Sequence, residues 1–140
     1  MVHTGDIIYY NQKTIYALIL EDLFRLYSEK TRIKFTNNRD KATKIATDDS
    51  IDSEADEILD DLINKKIKNI NPVDGKIIRP LYLFLNEEIL LYAQLKGLKS
   101  KSEKRKKSNI SEFLDDLEKK HPEVKRAVVN SYLILESGKN

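Results

Sequence analysis

The chain has 140 residues, with 25 Lys and Arg against 23 Asp and Glu, a net charge of +2, and no cysteine. That length suits one domain, which buries about 68 to 70% of its unfolded surface, and a composition that is 40% apolar and 34% charged describes a polar globule rather than a disordered chain. The small net charge makes no global demand for nucleic acid. The missing thiols exclude disulfides, thiolate zinc sites, cysteine-held iron–sulfur clusters and cysteine nucleophiles.

The opening MVHTGDIIYYNQK lacks the basic start and apolar run of a signal peptide. No window approaches the ~20 apolar residues of a spanning helix. A cytoplasmic protein with no membrane partner is therefore expected.

After Gly5-Asp6, the β-branched and aromatic segment Ile7 to Tyr10 predicts a strand, and Tyr16 to Tyr27 has helical spacing. Thr14 is the expected N-cap of that helix, with Leu18, Leu23 and Leu26 facing the core and Glu21, Asp22 and Arg25 solvated. Residues 28 to 43 are polar and poorly patterned. Lys44 to Thr47 predicts a brief strand, and Asp52 or Ser53 is the expected cap of a helix carrying Ala55, Ile58, Leu59, Leu62 and Ile63.

Asn71-Pro72 and Asp74-Gly75 are turn signals, followed by an extended stretch from Lys76 to Leu85 that Pro80 interrupts. Glu87 to Lys96 predicts a helix stopped by Gly97, where a left-handed cap suits glycine. Lys99 to Lys107 is basic and has no apolar face. Ser108 then precedes an amphipathic run with Ile110, Phe113, Leu114 and Leu117 on one stripe, ending at His121-Pro122. Pro122 is expected in the first turn of a last helix carrying Val124, Ala127, Val128, Tyr132 and Leu135. The expected organisation is an α/β core over 1–98, a basic linker over 99–108 and a helical section over 109–140 packed on that core.

Periodicity alone names no reaction. The order Ile78-Arg79-Pro80-Leu81, Glu88-Ile89, Tyr92-Ala93, Lys96-Gly97 resembles the R/K-P-L, E-(I/V), Y-A, K-G series of the PP-loop ATPases that thiolate tRNA. Phe113-Leu114-Asp115-Asp116-Leu117-Glu118-Lys119-Lys120-His121-Pro122, followed by Lys125, Val128 and Ser131-Tyr132, resembles the same family's ending. Upstream, Ile45 to Ala55 is similar to its strand-to-helix segment A-T-G-H-N-x-D-D-E-A, with Asp48, Asp49 and Ser53 in place of the glycine, the histidine and the second aspartate.

The resemblance implies a reduced PP-loop parallel sheet with helices and a helical C-terminal section. It also implies lost chemistry. Where the family has its S-G-G-x-D-S phosphate loop, this chain reads Tyr10-Asn11-Gln12-Lys13-Thr14, without the glycines that let successive amides turn toward an anion. The family's cysteines, which hold an iron–sulfur cluster or pass sulfur, are absent.

Lys13 and Thr14, at the start of the first helix, and Asp52, which matches a family acidic residue near the nucleotide phosphates, are the candidate nucleotide and Mg²⁺ contacts. Asp52 reads more readily as a helix cap than as a ligand, and Asp48 and Asp49 oppose phosphate binding. No cofactor is expected: ATP with Mg²⁺ is disfavoured, and cluster and zinc–cysteine sites lack ligands. Lys99, Lys101, Lys104, Arg105, Lys106 and Lys107, with Arg79 outlying, are the candidate RNA contacts.

The function expected from the resemblance is a non-catalytic subunit that assists tRNA wobble-uridine 2-thiolation by binding a catalytic PP-loop paralogue, tRNA or both. The eukaryotic cytoplasmic thiolation complex, with its divergent second subunit lacking the phosphate loop, is the precedent. A stand-alone RNA-binding module and an enzyme with residual adenylation activity are the alternatives. A sheet shortened in its middle would leave an open edge for a paralogue or a second copy to cover, so a dimer is expected.

Overall fold

The computed structural model describes residues 1–14, 16–66, 71–98 and 107–138. Its elements run β1 (Ile7–Tyr10), α1 (Ala17–Thr31), β2 (Lys34–Phe35), a 3-10 turn (Arg39–Lys41), β3 (Lys44–Ala46), α2 (Ile51–Ile63), β4 (Val73–Asp74), β5 (Ile77–Ile78), α3 (Asn86–Leu95), α4 (Asn109–Lys120) and α5 (Val124–Ser137). The five strands form one sheet in the order β2-β1-β3-β5-β4. All neighbours are parallel except the β4–β5 hairpin, in which Gly75 takes a left-handed φ of 56°. This is the expected α/β class.

Alternation along the strands decides which sheet face is filled. Ile8, Tyr10, Ala46 and Ile78 are buried together with Ala17, Ile19, Leu20 and Phe24 of α1 and Ile89 and Ala93 of α3, whereas Ile7 and Tyr9 are only half-buried. A second cluster joins Ala55 and Ile58 of α2 to Tyr82, Leu114 of α4 and Val129 of α5. Each fully buried Leu or Ile contributes about 1.5–3 kcal/mol, so these clusters hold the C-terminal helices to α2.

The structure corrects several expectations. On α1 the buried stripe is Ala17, Leu20 and Phe24, with Ile19 beside it, while Leu18 and Leu26 are exposed. Asp22, expected in solvent, is buried because Tyr92 Oη donates to it at 2.6 Å and Arg25 and Lys96 supply charge. These hydrogen bonds, Tyr92's the largest effect, together with both cations, outweigh desolvation and hold its carboxyl below the ordinary range.

The unpatterned 28–43 stretch contains β2 and the 3-10 turn. Leu62 and Ile63 are exposed, as are Phe113, Ala127 and Leu135. Pro122 lies before α5, whose N-cap is Glu123 with φ 81°. The extended stretch after Lys76 ends at Ile78, where two turns close through Tyr82 N to Arg79 O and Phe84 N to Leu81 O. Gly97, with φ 67°, follows α3 as expected. Among the described residues the sheet edges, β2 and β4, are two residues each, shorter than the open edge expected.

Candidate functional site

In a sheet of this topology ligands sit beyond the carboxyl ends of the strands, where neighbouring connections diverge. Here that place lies beyond β1 and β3, between the turn 11–14, the start of α2 and the start of α3. The turn after β1 is closed on itself. Lys13 N and Thr14 N donate to the side chain and carbonyl of Asn11 at 3.0 and 3.2 Å, and the Thr14 hydroxyl also donates to Asn11 O. These amides are spent inside the turn, not presented to an anion. Thr14 does not cap α1 either: the N-cap is Tyr16, which makes no side-chain cap bond. Lys13 is exposed.

After β3, Thr47 Oγ1 donates to Asp49 at 2.7 Å and Ser50 caps α2. The expected caps, Asp52 and Ser53, lie two and three residues inside the helix. Ser53 serves instead as the third helical residue of a capping box, its Oγ accepting from Ser50 N at 2.8 Å. Ile51 N donates to Phe84 O, so the donors that would make this helix start an anion site are largely occupied.

Ser50 is fully buried and its hydroxyl donates to Asn86 Oδ1 at 2.7 Å. The same oxygen accepts from Tyr16 Oη at 2.9 Å, while Asn86 N donates to Asp52 Oδ2 at 2.7 Å. Asn86 thus ties the starts of α1, α2 and α3 together. Ser50→Ala should cost about 1–2 kcal/mol, because it removes the cap and one of the partners of Asn86; chemical denaturation checks this, and Ser50→Thr should recover part of it.

Two charged clusters flank this junction. In the first, the Arg79 side chain is 11% exposed, with Nε 3.2 Å from Glu54 Oε1 and 3.6 Å from Asp49 Oδ2, and another guanidinium nitrogen donates to Asn71 O. Burial, then Asp49, pushes the Glu54 carboxyl up to about 8 despite Arg79. One cation between two carboxylates leaves Glu54 neutral and Arg79 paired with Asp49. Burial, then the Glu54 charge, also raises the Tyr82 phenol, whose Oη is buried without a hydrogen-bond partner among the described residues.

In the second cluster, the Lys125 side chain is 6% exposed and its ammonium donates to Asp52 Oδ1 and, at 2.6 Å, to Asp115 Oδ1. Burial alone would lower its pKa. The hydrogen bonds and charges of Asp115 and Asp52 outweigh that and raise it. Burial would likewise raise Asp115, but Lys107 and Lys125 hold it low. Asp56 accepts from Ser111 Oγ, and burial sets its pKa above the ordinary value. The cluster joins α2, α4 and α5.

The candidate residues therefore have different environments. Arg79, read as an RNA contact, is buried in ion pairs. Asp52, read as a phosphate or Mg²⁺ contact, has its two oxygens turned to Lys125 and Asn86 N, so a cation there would have to displace an ammonium. Lys107 is exposed and pairs with Asp115. Lys99, Lys101, Lys104, Arg105 and Lys106 lie outside the described residues. Glu54, Asn86 and Lys125 were not read from the sequence as parts of this junction. Their signal was a charged residue on a buried helical stripe: Glu54 between Ile51 and Ile58, and Lys125 four residues before Val129.

No group of three or more His, Cys, Asp and Glu with metal-binding geometry occurs among the described residues. The residues in place of the phosphate loop do not fit a nucleotide phosphate. No helix among the described residues is long and apolar enough to cross a membrane.

No family model matches the sequence, and no curated protein matches it. The structure is similar to that of the U34-tRNA thiolase NcsA from Methanococcus maripaludis, described with its [4Fe-4S] cluster, with a TM-score of 0.74 at 16% identity over 95% of this chain and 72% of that one. The likeness shows a shared fold. Iron–sulfur clusters are held by cysteine thiolates, and this chain has none, so its residues do not fit the thiolase's cluster.

Proposed function

We propose that this chain is a non-catalytic PP-loop-like subunit that assists tRNA wobble-uridine 2-thiolation by binding a catalytic paralogue and tRNA. The observation that carries this reading is the strand-end junction itself. On a thiolase-like fold, the place expected to receive a nucleotide is spanned by Asn86, Ser50 and Asp52 and flanked by the Arg79 and Lys125 ion pairs. Such a junction is a scaffold, and the absence of cysteine supports a role beside a sulfur-transferring partner rather than in its place.

Two measurements test the proposal. Affinity purification of the chain from its own cells should recover a PP-loop enzyme that carries the phosphate-loop glycines and the cysteines; recovery of none overturns the subunit role. Titration calorimetry with ATP and Mg²⁺ should give no binding heat. Micromolar ATP binding that Lys13→Ala abolishes would instead establish the residual-adenylation reading.

A further inference from the structure

Two groups of cations stand out among the described residues. Around α2, α4 and α5, Arg79, Lys107, Lys119, Lys125 and Arg126 each face a carboxylate within 4 Å. Between residues 30 and 44 the sequence has six cations and a single carboxylate, Asp40. Five of those six, Lys30, Arg32, Lys34, Arg39 and Lys41, are exposed and form no ion pair among the described residues. The opposite excess lies in residues 48–61, which hold eight carboxylates and no cation. Asp49, Asp52, Glu54 and Asp56 of that run are already engaged by internal partners, so the acidic run leaves the field at residues 30–41 standing.

The fold gathers these five cations along one border. Lys30 is in the last turn of α1, Arg32 is its C-cap, Lys34 opens β2, and Arg39 and Lys41 bound the 3-10 turn that follows, β2 being the outermost strand. Lys34 alone could be explained as a charge that blunts an edge strand. The other four are off the strand and need another account. Arg32 stands with φ 54° in the left-handed cap position that favours glycine. Two aromatic rings accompany the charges: Tyr27 is 58% exposed, and Phe35, 43% exposed, is held by Tyr10 and Phe24 at centroid distances of 6.0 and 6.3 Å. Exposed rings beside unpaired cations are the ingredients of single-strand recognition, with phosphates on the charges and bases on the rings.

We infer that the β2 border is an RNA-binding surface, with Lys30, Arg32, Lys34, Arg39 and Lys41 contacting phosphates and Tyr27 and Phe35 offering faces to unpaired bases. The choice of RNA among polyanions rests on the tRNA-linked role proposed above. Its residues are separate in sequence from the basic segment 99–107.

The test is fluorescence anisotropy of the full chain with a labelled, unmodified tRNA transcript across a salt series. Log affinity should fall linearly with log salt. The variant Lys34→Glu/Arg39→Glu/Lys41→Glu should bind at least about tenfold more weakly, with the slope reduced by about two to three. Tyr27→Ala should weaken binding with the slope unchanged. Arg32→Gly, which suits the cap, should weaken binding without lowering Tm, separating an RNA role from a structural one. Lys119→Gln/Lys120→Gln, away from this border, should match wild type. The inference is overturned if the triple variant binds like wild type, if only neutralising Lys104, Arg105, Lys106 and Lys107 removes binding, or if vesicles of anionic phospholipid compete as strongly as tRNA. None of these results touches recovery of a PP-loop partner, so the two proposals fail separately.

Discussion

Lys125→Ala is expected to lower stability by about 3–5 kcal/mol, the usual cost of removing one partner from a buried ion pair, read as a lower urea midpoint and a Tm depressed by roughly 10 °C. The cost has two parts. The ammonium meets both Asp52 and Asp115, so its removal leaves Asp52 without its cation and Asp115 with Lys107 alone among the described residues, where α2, α4 and α5 converge. Lys125 is also buried on the α5 stripe that carries Val129, and Lys125→Met isolates the charge by keeping most of the side chain's volume. Lys125→Met should be less damaging than Lys125→Ala yet still clearly destabilised at neutral pH. Asp115 is held low in the folded protein, so its pairing adds stability above the ordinary carboxylate range, lost as pH falls through the lowered value. The gap between Lys125→Met and wild type should therefore narrow in acid. A gap that stays constant down to acid unfolding, or a Lys125→Met protein as stable as wild type at pH 7, would mean that packing, not charge, joins these helices.

What could be read in the sequence follows the range of the interactions involved. Local signals gave β1 and β3 from β-branched runs, α4 from Ser108 and its stripe, and the end of α3 from Gly97. The capping of α2 was read two or three residues late because Asp52 and Ser53 are good caps on paper, and only the buried contact of Ser50 with Asn86 selects Ser50. β2 was missed because Lys34-Phe35 is two residues in a polar stretch, and pairing with β1 makes it a strand. Asp22 looks solvated beside Glu21 and Arg25, and the hydroxyl that satisfies it comes from Tyr92, seventy residues away.

The ion pairs at the strand ends are of the same long-range kind. Arg79 meets Glu54 and Asp49 across α2 and the β4–β5 hairpin, and Lys125 meets Asp52 from 73 residues away. Read singly, an arginine after a strand or an aspartate at a helix start suggests a ligand; read together, they neutralise one another. The matched series from Arg79 to Ser131 therefore pointed to the right fold, while the roles first assigned to Arg79 and Asp52 were those of exposed residues. The local sequence does hold the clue, since Ile51, Glu54, Ala55, Ile58 and Asp61 share one buried stripe. A carboxylate on such a stripe must find a partner or stay protonated.

Glu54 gives the second large effect. Its carboxyl titrates near 8 in the folded protein against 4.5 when free of the fold, because burial and Asp49 disfavour its charge more than Arg79 favours it. The folded state therefore binds more protons than the unfolded state between those values. Linkage then makes stability highest at or below the lower value and decreasing as pH rises through the upper one. At about 1.4 kcal/mol per pH unit, the loss across this window is on the order of 5 kcal/mol. Glu54→Gln keeps the shape and the neutral form while removing the titration. It should match wild type near pH 5, exceed it by about 2–4 kcal/mol at pH 9, and flatten the fall between pH 6 and 9. Glu54→Ala, which leaves a cavity beside Arg79, should be destabilised throughout, so the contrast between the two variants separates proton linkage from packing. The measurement is urea unfolding at a series of pH values. If wild type gains stability from pH 6 to 9, or if Glu54→Gln keeps the wild-type slope, Glu54 is ionised and paired with Arg79, and the strand-end cluster is an ordinary salt bridge.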